Sequence, residues 1–148
     1  MRKRYALAIG LLVFLNLGLA SAQSAKGLAV SESLTGATGD PVRGRAIVAS
    51  RQTGLCLLCH SGPFPEERFQ GNLAPDLSIS VANLSVPELR ARIMDASRFN
   101  PNTIMPSYYR DDHLYRVAAK FKGQTILNAQ EIEDVVAFLA NMNNQSQK

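Results

Sequence analysis

The stretch Cys56-Leu57-Leu58-Cys59-His60 contains the only two cysteines of the chain and one of its two histidines. Its C-x-x-C-H spacing is the sequence to which haem c is covalently attached. Cysteines three positions apart lie on one side of a helical turn, where both thiols reach one edge of a macrocycle. His60 stays on that side and can direct a ring nitrogen at the iron. We therefore predict one covalently bound haem c, with Cys56 and Cys59 as its thioether positions and His60 as an axial ligand.

Other uses of two cysteines fit this sequence less well. A thioredoxin-like redox pair is expected within a strand–helix unit, whereas the residues before Cys56 predict a helix. A tetrahedral zinc ion needs four ligands, and only Cys56, Cys59, His60 and His113 are available. The neighbouring Cys59 and His60 are poorly placed to bind one tetrahedral ion together. A disulfide across two residues is strained and leaves His60 without a role.

A haem that transfers electrons is commonly closed on its second side by a methionine sulfur or another histidine. The chain offers four such side chains: Met94, Met105, Met142 and His113. Met105 lies in a predicted loop, residues 98–112, stiffened by two prolines, and a stiff loop loses little entropy when it supplies a ligand. We predict Met105 as the second axial ligand and keep His113 as the alternative. Met94 is expected to pack in the core, and Met142 to lie at the fraying end of the last helix.

The ring nitrogen of His60 that faces away from the iron needs a hydrogen-bond acceptor that fixes the ring. The sequence Ala74-Pro75-Asp76-Leu77 follows the haem motif in a second predicted loop, residues 61–84. We expect the Pro75 carbonyl to be this acceptor. An ordinary turn at the same place is the alternative.

The beginning of the chain has the organisation of an export signal. Arg2-Lys3-Arg4 precedes an apolar run over residues 6–20, and Ala20-Ser21-Ala22 follows as a signal-peptidase site. We expect residues 1–22 to be cleaved after Ala22 and the mature protein to lie in the periplasm. A retained membrane anchor is the alternative, but the apolar run is shorter than the ~20 residues that span a bilayer.

Charge and length restrict the remaining possibilities. The chain has 148 residues with 16 Lys and Arg against 12 Asp and Glu, and removal of residues 1–22 leaves 13 against 12. A basic surface for nucleic acid is therefore not expected. The length suits one domain, which we place at residues 40–148, preceded by an extended arm at 23–39 that is mobile or lies on a partner.

Three main helices are predicted from capping signals and apolar spacing. The first begins after Asp40 and runs to about residue 52, and the second begins after Ser85 and runs to about residue 96. The third begins after Asn128, with Glu131 completing a capping box, and carries an apolar stripe: Ile132, Val135, Val136 and Leu139. A short turn is expected within residues 114–120, and no strand is predicted. The fold class is therefore all-α, with long loops around the haem.

These features resemble the class I cytochromes c. In that fold the first and last helices cross, a glycine in the first helix permits their close approach, and an aromatic side chain of the last helix packs beside it. Gly44 and Phe138 match these two positions. The resemblance therefore implies that the predicted helices at both ends of the domain cross at Gly44.

A narrower resemblance is to SoxX, the single-haem subunit of the SoxAX sulfur-oxidation complex, over most of residues 40–142. Its most specific part is the sequence RFNPNTIMPSYY at residues 98–109. The other matching segments are residues 43–45, the haem motif, residues 115–117 and the helix at 127–142. The resemblance implies that Cys56, Cys59, His60 and Met105 hold the haem.

The same resemblance implies a partner and a reaction. The chain would form a heterodimer with a SoxA-type cytochrome, in a complex that joins thiosulfate to a cysteine of a sulfur-carrier protein. Such a complex is an L-cysteine S-thiosulfotransferase. This chain would supply electron transfer to a soluble cytochrome c and no catalytic residue. The alternative is a freestanding periplasmic electron shuttle, which would have small, transient interfaces in place of one large permanent interface.

Overall fold

The computed structural model describes residues 28–115 and 117–146. The predicted signal peptide and its cleavage site lie outside these residues. The described part contains four α-helices: α1 (Pro41–Ala49), α2 (Leu77–Val81), α3 (Val86–Met94) and α4 (Ala129–Ser146). Single 3₁₀ turns lie at Cys56–Leu58, Ala96–Arg98 and Ala119–Phe121. No strand occurs within the described residues, and the predicted all-α class is confirmed.

The helices begin where the capping residues predict. The Asp40 carboxylate accepts hydrogen bonds from the first backbone N–H groups of α1. The Glu88 carboxylate accepts one from the Ser85 N–H, as a capping box requires. At α4 the bonds are reciprocal, because the Asn128 side chain accepts from Glu131 N–H while the Glu131 side chain accepts from Asn128 N–H. Each start is thus fixed by residues close in sequence.

The helix ends and the loops differ more from the predictions than the helix starts do. Helix α1 ends at Ala49 and not near residue 52, because the backbone becomes extended at Ser50. The predicted loop at 61–84 contains α2, so the prediction of a loop throughout was wrong there. The Asp76 side chain caps this helix by accepting from Ser78 N–H, and Leu77 and Val81 bury the face that it turns to the core. The predicted turn within 114–120 lies at Ala119–Phe121.

The described part of the arm, residues 28–39, lies on the chain's own helices. Leu34 N–H donates to the Glu133 carboxylate at 3.0 Å, and Val30 N–H donates to the Pro87 carbonyl at 3.0 Å. Arg90 donates to the Val30 carbonyl at 2.7 Å and forms a buried ion pair with Glu133. This differs from the expected mobile or partner-bound arm, because hydrogen bonds to Pro87, Arg90 and Glu133 hold the segment against α3 and α4.

Helices α1 and α4 cross with their backbones in contact. A Cβ added at Gly44 would lie 1.9 Å from the Asp134 carbonyl oxygen and 2.9 Å from the Phe138 Cβ. No side chain fits in that space, so glycine is required for the approach. The crossing expected from the resemblance is therefore present at Gly44 and Phe138.

The core lies between the crossing helices and α3, and one prediction about it was wrong. Met142 is buried in the core, although its polar neighbours predicted a fraying helix end. Helix α4 continues past it to Ser146, and the Ser78 hydroxyl of α2 lies 3.9 Å from its sulfur. Met94 is partly buried against the core, as expected. Within the described residues, none of the helices is long and apolar enough to cross a membrane.

A charged contact also joins the two crossing helices. The buried Asp134 carboxylate accepts two hydrogen bonds from the Arg43 guanidinium, at 2.7 and 3.0 Å. It also accepts from Asp40 N–H at 2.7 Å and from the Gln130 side chain at 3.0 Å. These contacts, the Arg43 bond foremost, lower the pKa of Asp134 to about 2.

This lowered pKa predicts a loss of stability in acid. The ionised carboxylate stabilises the fold above its unfolded pKa of about 3.9, and the stabilisation is lost as the pH falls through about 2. The Arg43 side chain is 57% exposed, so water screens the pair, and we expect the ionised Asp134 to contribute only about 1 kcal/mol to stability. Urea unfolding should show Asp134→Asn less stable by this amount at pH 7 and by clearly less at pH 2, where about half of the folded-state carboxylate is protonated. A difference that stays constant with pH would contradict this reading.

Candidate functional site

An apolar cleft lies between α1, α3, α4 and the loop at 98–112, called the Met105 loop below. Its cavity volume is about 240 Å³, and the space out to the open mouth brings this to about 820 Å³. Cys56, Cys59, His60 and Met105 all line it. The other lining residues are Val48, Leu55, Leu58, Ala74, Leu77, Ile93, Ile104, Pro106, Tyr108, Val135 and Leu139. The structure thus brings together all four residues predicted to hold a haem.

The haem motif forms a tight turn. Cys59 and His60 N–H groups both donate to the Cys56 carbonyl, at 3.1 and 2.9 Å. This turn places four of the five motif side chains along the cleft, while Leu57 is buried in the core. Both cysteines are free thiols. Burial raises the pKa of the Cys56 thiol, so the side chain stays protonated and does not resemble the activated thiolate of a redox pair.

The segment at 74–77 supports His60 from behind. The His60 Nδ1 lies 2.6 Å from the Pro75 carbonyl oxygen, so this contact anticipated from the sequence is present. Ala74 N–H donates to the Cys59 carbonyl at 3.0 Å, and Leu77 N–H donates to the Ser61 carbonyl at 2.8 Å. These bonds hold the segment in place beside the motif. The role of Pro75 in orienting a ligand stays a prediction.

The Met105 loop is anchored on both sides of its methionine. Met105 N–H donates to the Thr103 hydroxyl at 3.2 Å. On the other side, the Ser107 hydroxyl and the Arg110 guanidinium donate to the Asp95 carboxylate, at 2.5 and 2.8 Å. The loop is therefore held by the segment that follows α3, and Met105 is kept at the cleft.

His113, the alternative axial ligand, is placed elsewhere. Its side chain is exposed, lies 3.6 Å from the Asp112 carboxylate and does not line the cleft. The four side chains needed for the zinc alternative are therefore not brought together. Among residues 28–115 and 117–146, no group of three or more His, Cys, Asp or Glu is arranged to hold a metal ion.

The cleft fits a haem better than the other readings of the motif. Its walls are apolar, as a macrocycle requires, and its free thiols and imidazole follow a helix and not a strand. The cleft is also open to solvent on one side and is lined by all four residues predicted to hold the haem.

One further residue of the site, Tyr108, and one of the core, Phe64, were not predicted. Tyr108 lines the cleft and donates a hydrogen bond from its hydroxyl to the Gly54 carbonyl, 54 positions earlier in sequence. Phe64 is fully buried, and its ring centroid lies 5.8 Å from that of Phe138. No local pattern marks either residue, although Tyr108 lies in the stretch that carries the SoxX resemblance.

Comparison with known proteins identifies a related solved structure. No family model and no curated protein matches the chain. A solved structure does match: the crystal structure of SoxXA from P. pantotrophus contains a chain that is 36% identical. The match covers 78% of this chain and 90% of that chain, with a TM-score of 0.71. The resemblance predicted from the sequence is confirmed: the chain belongs to the SoxX family of cytochrome subunits and has the class I cytochrome c fold.

Proposed function

We propose that this chain is the haem c-bearing electron-transfer subunit of a SoxAX-type sulfur-oxidation complex. One observation carries the proposal: in a member of the SoxX family, a single apolar cleft is lined by Cys56, Cys59, His60 and Met105. Cys56 and Cys59 would form the thioether bonds, and His60 and Met105 the axial bonds. A haem bound there supplies one-electron oxidation and reduction of its iron.

The chain's own residues would prepare the cleft for that group. The Pro75 carbonyl accepts from His60 and so fixes which ring nitrogen faces the cleft. Buried Val48, Ile93 and Val135 keep water from the interior wall. The anchored Met105 loop reduces the entropy lost when its sulfur becomes a ligand.

The proposed complex joins thiosulfate to a carrier-protein cysteine. A sulfur–sulfur bond forms between the terminal sulfur of thiosulfate and the cysteine sulfur, and the thiol proton and two electrons are released. Both cysteines of this chain would be used for haem attachment, so the reacting cysteine chemistry is assigned to other subunits. The proposed part of this chain is to receive electrons from its partner and pass them to a soluble cytochrome c.

We also propose that the mature protein works in the periplasm after cleavage of residues 1–22. The support is the order of Arg2-Lys3-Arg4, an apolar run and Ala20-Ser21-Ala22. The arm at 23–39 and the domain at 40–148 would then make up the mature chain. Mass measurement of the exported protein tests this, with a first residue of Gln23 expected.

A permanent partner is favoured over a freestanding shuttle by the surface beside the cleft. Exposed apolar side chains flank Met105, in the Met105 loop and in the segment that follows it. Ile104 is 75% exposed and Tyr115 is 91% exposed. The others are Leu114, Val117, Phe121 and Ile126. Ile104 lines the cleft, and the other five line a second hollow that shares Leu55, Met105 and Pro106 with the cleft. We assign this apolar rim to contact with a SoxA-type cytochrome, because the solved relative is a SoxXA complex.

A charge placed in the apolar rim should weaken the heterodimer. Ile104→Lys is expected to raise the Kd for the co-expressed SoxA-type subunit by at least about tenfold, because a buried lysine at the interface lacks a partner. Val42→Lys is the matched control, because Val42 is 77% exposed on α1 and lies outside the rim. Analytical ultracentrifugation of the purified pair gives both constants. Equal weakening by the two variants would contradict the assigned surface.

The proposed function is tested by producing the chain together with a SoxA-type cytochrome from the same organism. We expect the two haem proteins to purify together and to catalyse thiosulfate-dependent reduction of a soluble cytochrome c when carrier protein is present. If this chain elutes separately from the co-expressed SoxA-type cytochrome at every concentration, the result would support the electron shuttle instead.

A further inference from the structure

Tyr108 joins two segments that face each other across the site. Its buried hydroxyl donates to the Gly54 carbonyl at 2.5 Å and lies 3.9 Å from the Cys56 sulfur. Tyr108 itself belongs to the Met105 loop, three residues after Met105. The Tyr108 side chain therefore connects the Met105 loop, which carries the predicted second axial ligand, to the turn that carries Cys56, the first thioether position.

The backbone of Tyr108 is also fixed. Its N–H donates to the Ile93 carbonyl of α3 at 3.3 Å, and its carbonyl accepts from Leu127 N–H, just before α4, at 3.1 Å. Ser107, directly before it, is bonded to the Asp95 carboxylate. The hydroxyl therefore extends from a part of the Met105 loop that cannot shift independently of α3.

The Gly54 carbonyl, which accepts the hydrogen bond from the Tyr108 hydroxyl, is also fixed by its surroundings. A Cβ added at Gly54 would lie 2.2 Å from the Ile47 carbonyl oxygen, so Gly54 is wedged against α1. The next residue, Leu55, has a φ of 61°, in the left-handed region that side chains other than glycine rarely adopt. Such a backbone persists where surrounding contacts hold it in place. The Tyr108 hydroxyl is one of these contacts, directly before Cys56.

We propose that Tyr108 is a positioning residue, which keeps Met105 at the sixth coordination position by tying the Met105 loop to the Gly54–Cys56 turn. The inference rests on the proposed function, because it requires a haem in the cleft. Tyr108 does not bind the iron itself. It limits how often the Met105 loop moves away, and so how often another ligand could enter.

The test uses cyanide, which binds a ferric haem only while the methionine is displaced. In stopped-flow mixing, Tyr108→Phe should bind cyanide about tenfold faster than the unsubstituted protein. That factor corresponds to ~1.4 kcal/mol, the net contribution of one buried hydrogen bond. Tyr109→Phe is the matched control, because the hydroxyl of Tyr109 makes no hydrogen bond within the described residues, and its rate should stay within about twofold.

A structural role alone would give a different result. If Tyr108→Phe lowers the melting temperature but binds cyanide at the unsubstituted rate, the positioning role is overturned and the proposed function stands. If the unsubstituted protein carries no covalent haem, the proposed function fails, and the positioning role fails with it.

A second measurement applies if Tyr108→Phe does not mature. In the reduced, unsubstituted holoprotein, the Tyr108 hydroxyl proton should give a slowly exchanging NMR signal with a cross-peak to the Gly54 Hα. Absence of that cross-peak after complete assignment would overturn the proposal.

Discussion

Replacement of Met105 by alanine is expected to leave the haem attached and to open the sixth coordination position of the iron. The thioether positions and His60 are untouched, so attachment should proceed. The ferric protein should lose its sulfur-to-iron charge-transfer band and bind cyanide without delay. The reduction potential should fall by on the order of 0.1 V or more, within the ~0.8 V range that axial ligands control, because methionine ligation raises it.

Two controls separate this expectation from a general effect of losing a side chain. Met94→Ala removes a methionine that is partly buried against the core in α3 and does not line the cleft. His113→Ala removes the alternative ligand, whose side chain is exposed. Both variants should keep the charge-transfer band. Its survival in Met105→Ala, or its loss in His113→Ala, would show that Met105 is not the ligand.

The second large effect is expected at the helix crossing. Gly44→Val should destabilise the fold by several kcal/mol, because the added Cβ would lie 1.9 Å from a backbone carbonyl oxygen of α4. The backbone cannot move aside cheaply, so α1 and α4 must separate and lose core contacts. Even Gly44→Ala should be destabilised, although alanine is favoured over glycine within a helix by about 1 kcal/mol. Chemical unfolding of the haem-loaded variants measures both free energies.

Ala46→Val provides the matched control in the same helix. Ala46 is exposed on α1, so its valine variant carries the cost of a β-branched residue in a helix without the steric conflict. We expect a change below about 1 kcal/mol there. Similar unfolding free energies for Gly44→Val and Ala46→Val would contradict the close crossing of α1 and α4.

Most of the helices could be predicted because their signals are local. Asp40, Ser85 and Asn128 lie next to the backbone groups that they cap or pair with, so a short window of sequence contains the whole interaction. Helix α2 has the same kind of signal, with Asp76 before it, but five residues are too few to produce a clear apolar period. Met142 was misplaced because its burial depends on α2, far away in sequence.

The functional site also contains some residues that the local sequence marks and others that it does not. The haem motif and the proline-stiffened Met105 loop are short and specific, so their residues could be named from the sequence, and the cleft brings them together. The hydrogen bond of Tyr108 and the position of the arm against α3 and α4 could not be predicted. The hydroxyl of Tyr108 meets a backbone carbonyl 54 positions away, and the ion pair beneath the arm joins Arg90 to Glu133, 43 positions away. Any residue type offers a carbonyl, so sequence alone gives no partner for that hydroxyl.

The central claim is that Cys56 and Cys59 attach one haem to this chain. The most direct test is the intact mass of the exported protein, made in cells with a working cytochrome c maturation system. We predict the mass of the mature chain plus one haem, and a coloured band that survives denaturing electrophoresis, with both lost in a Cys56→Ser, Cys59→Ser double variant. Colourless protein with the mass of the polypeptide alone would contradict the account.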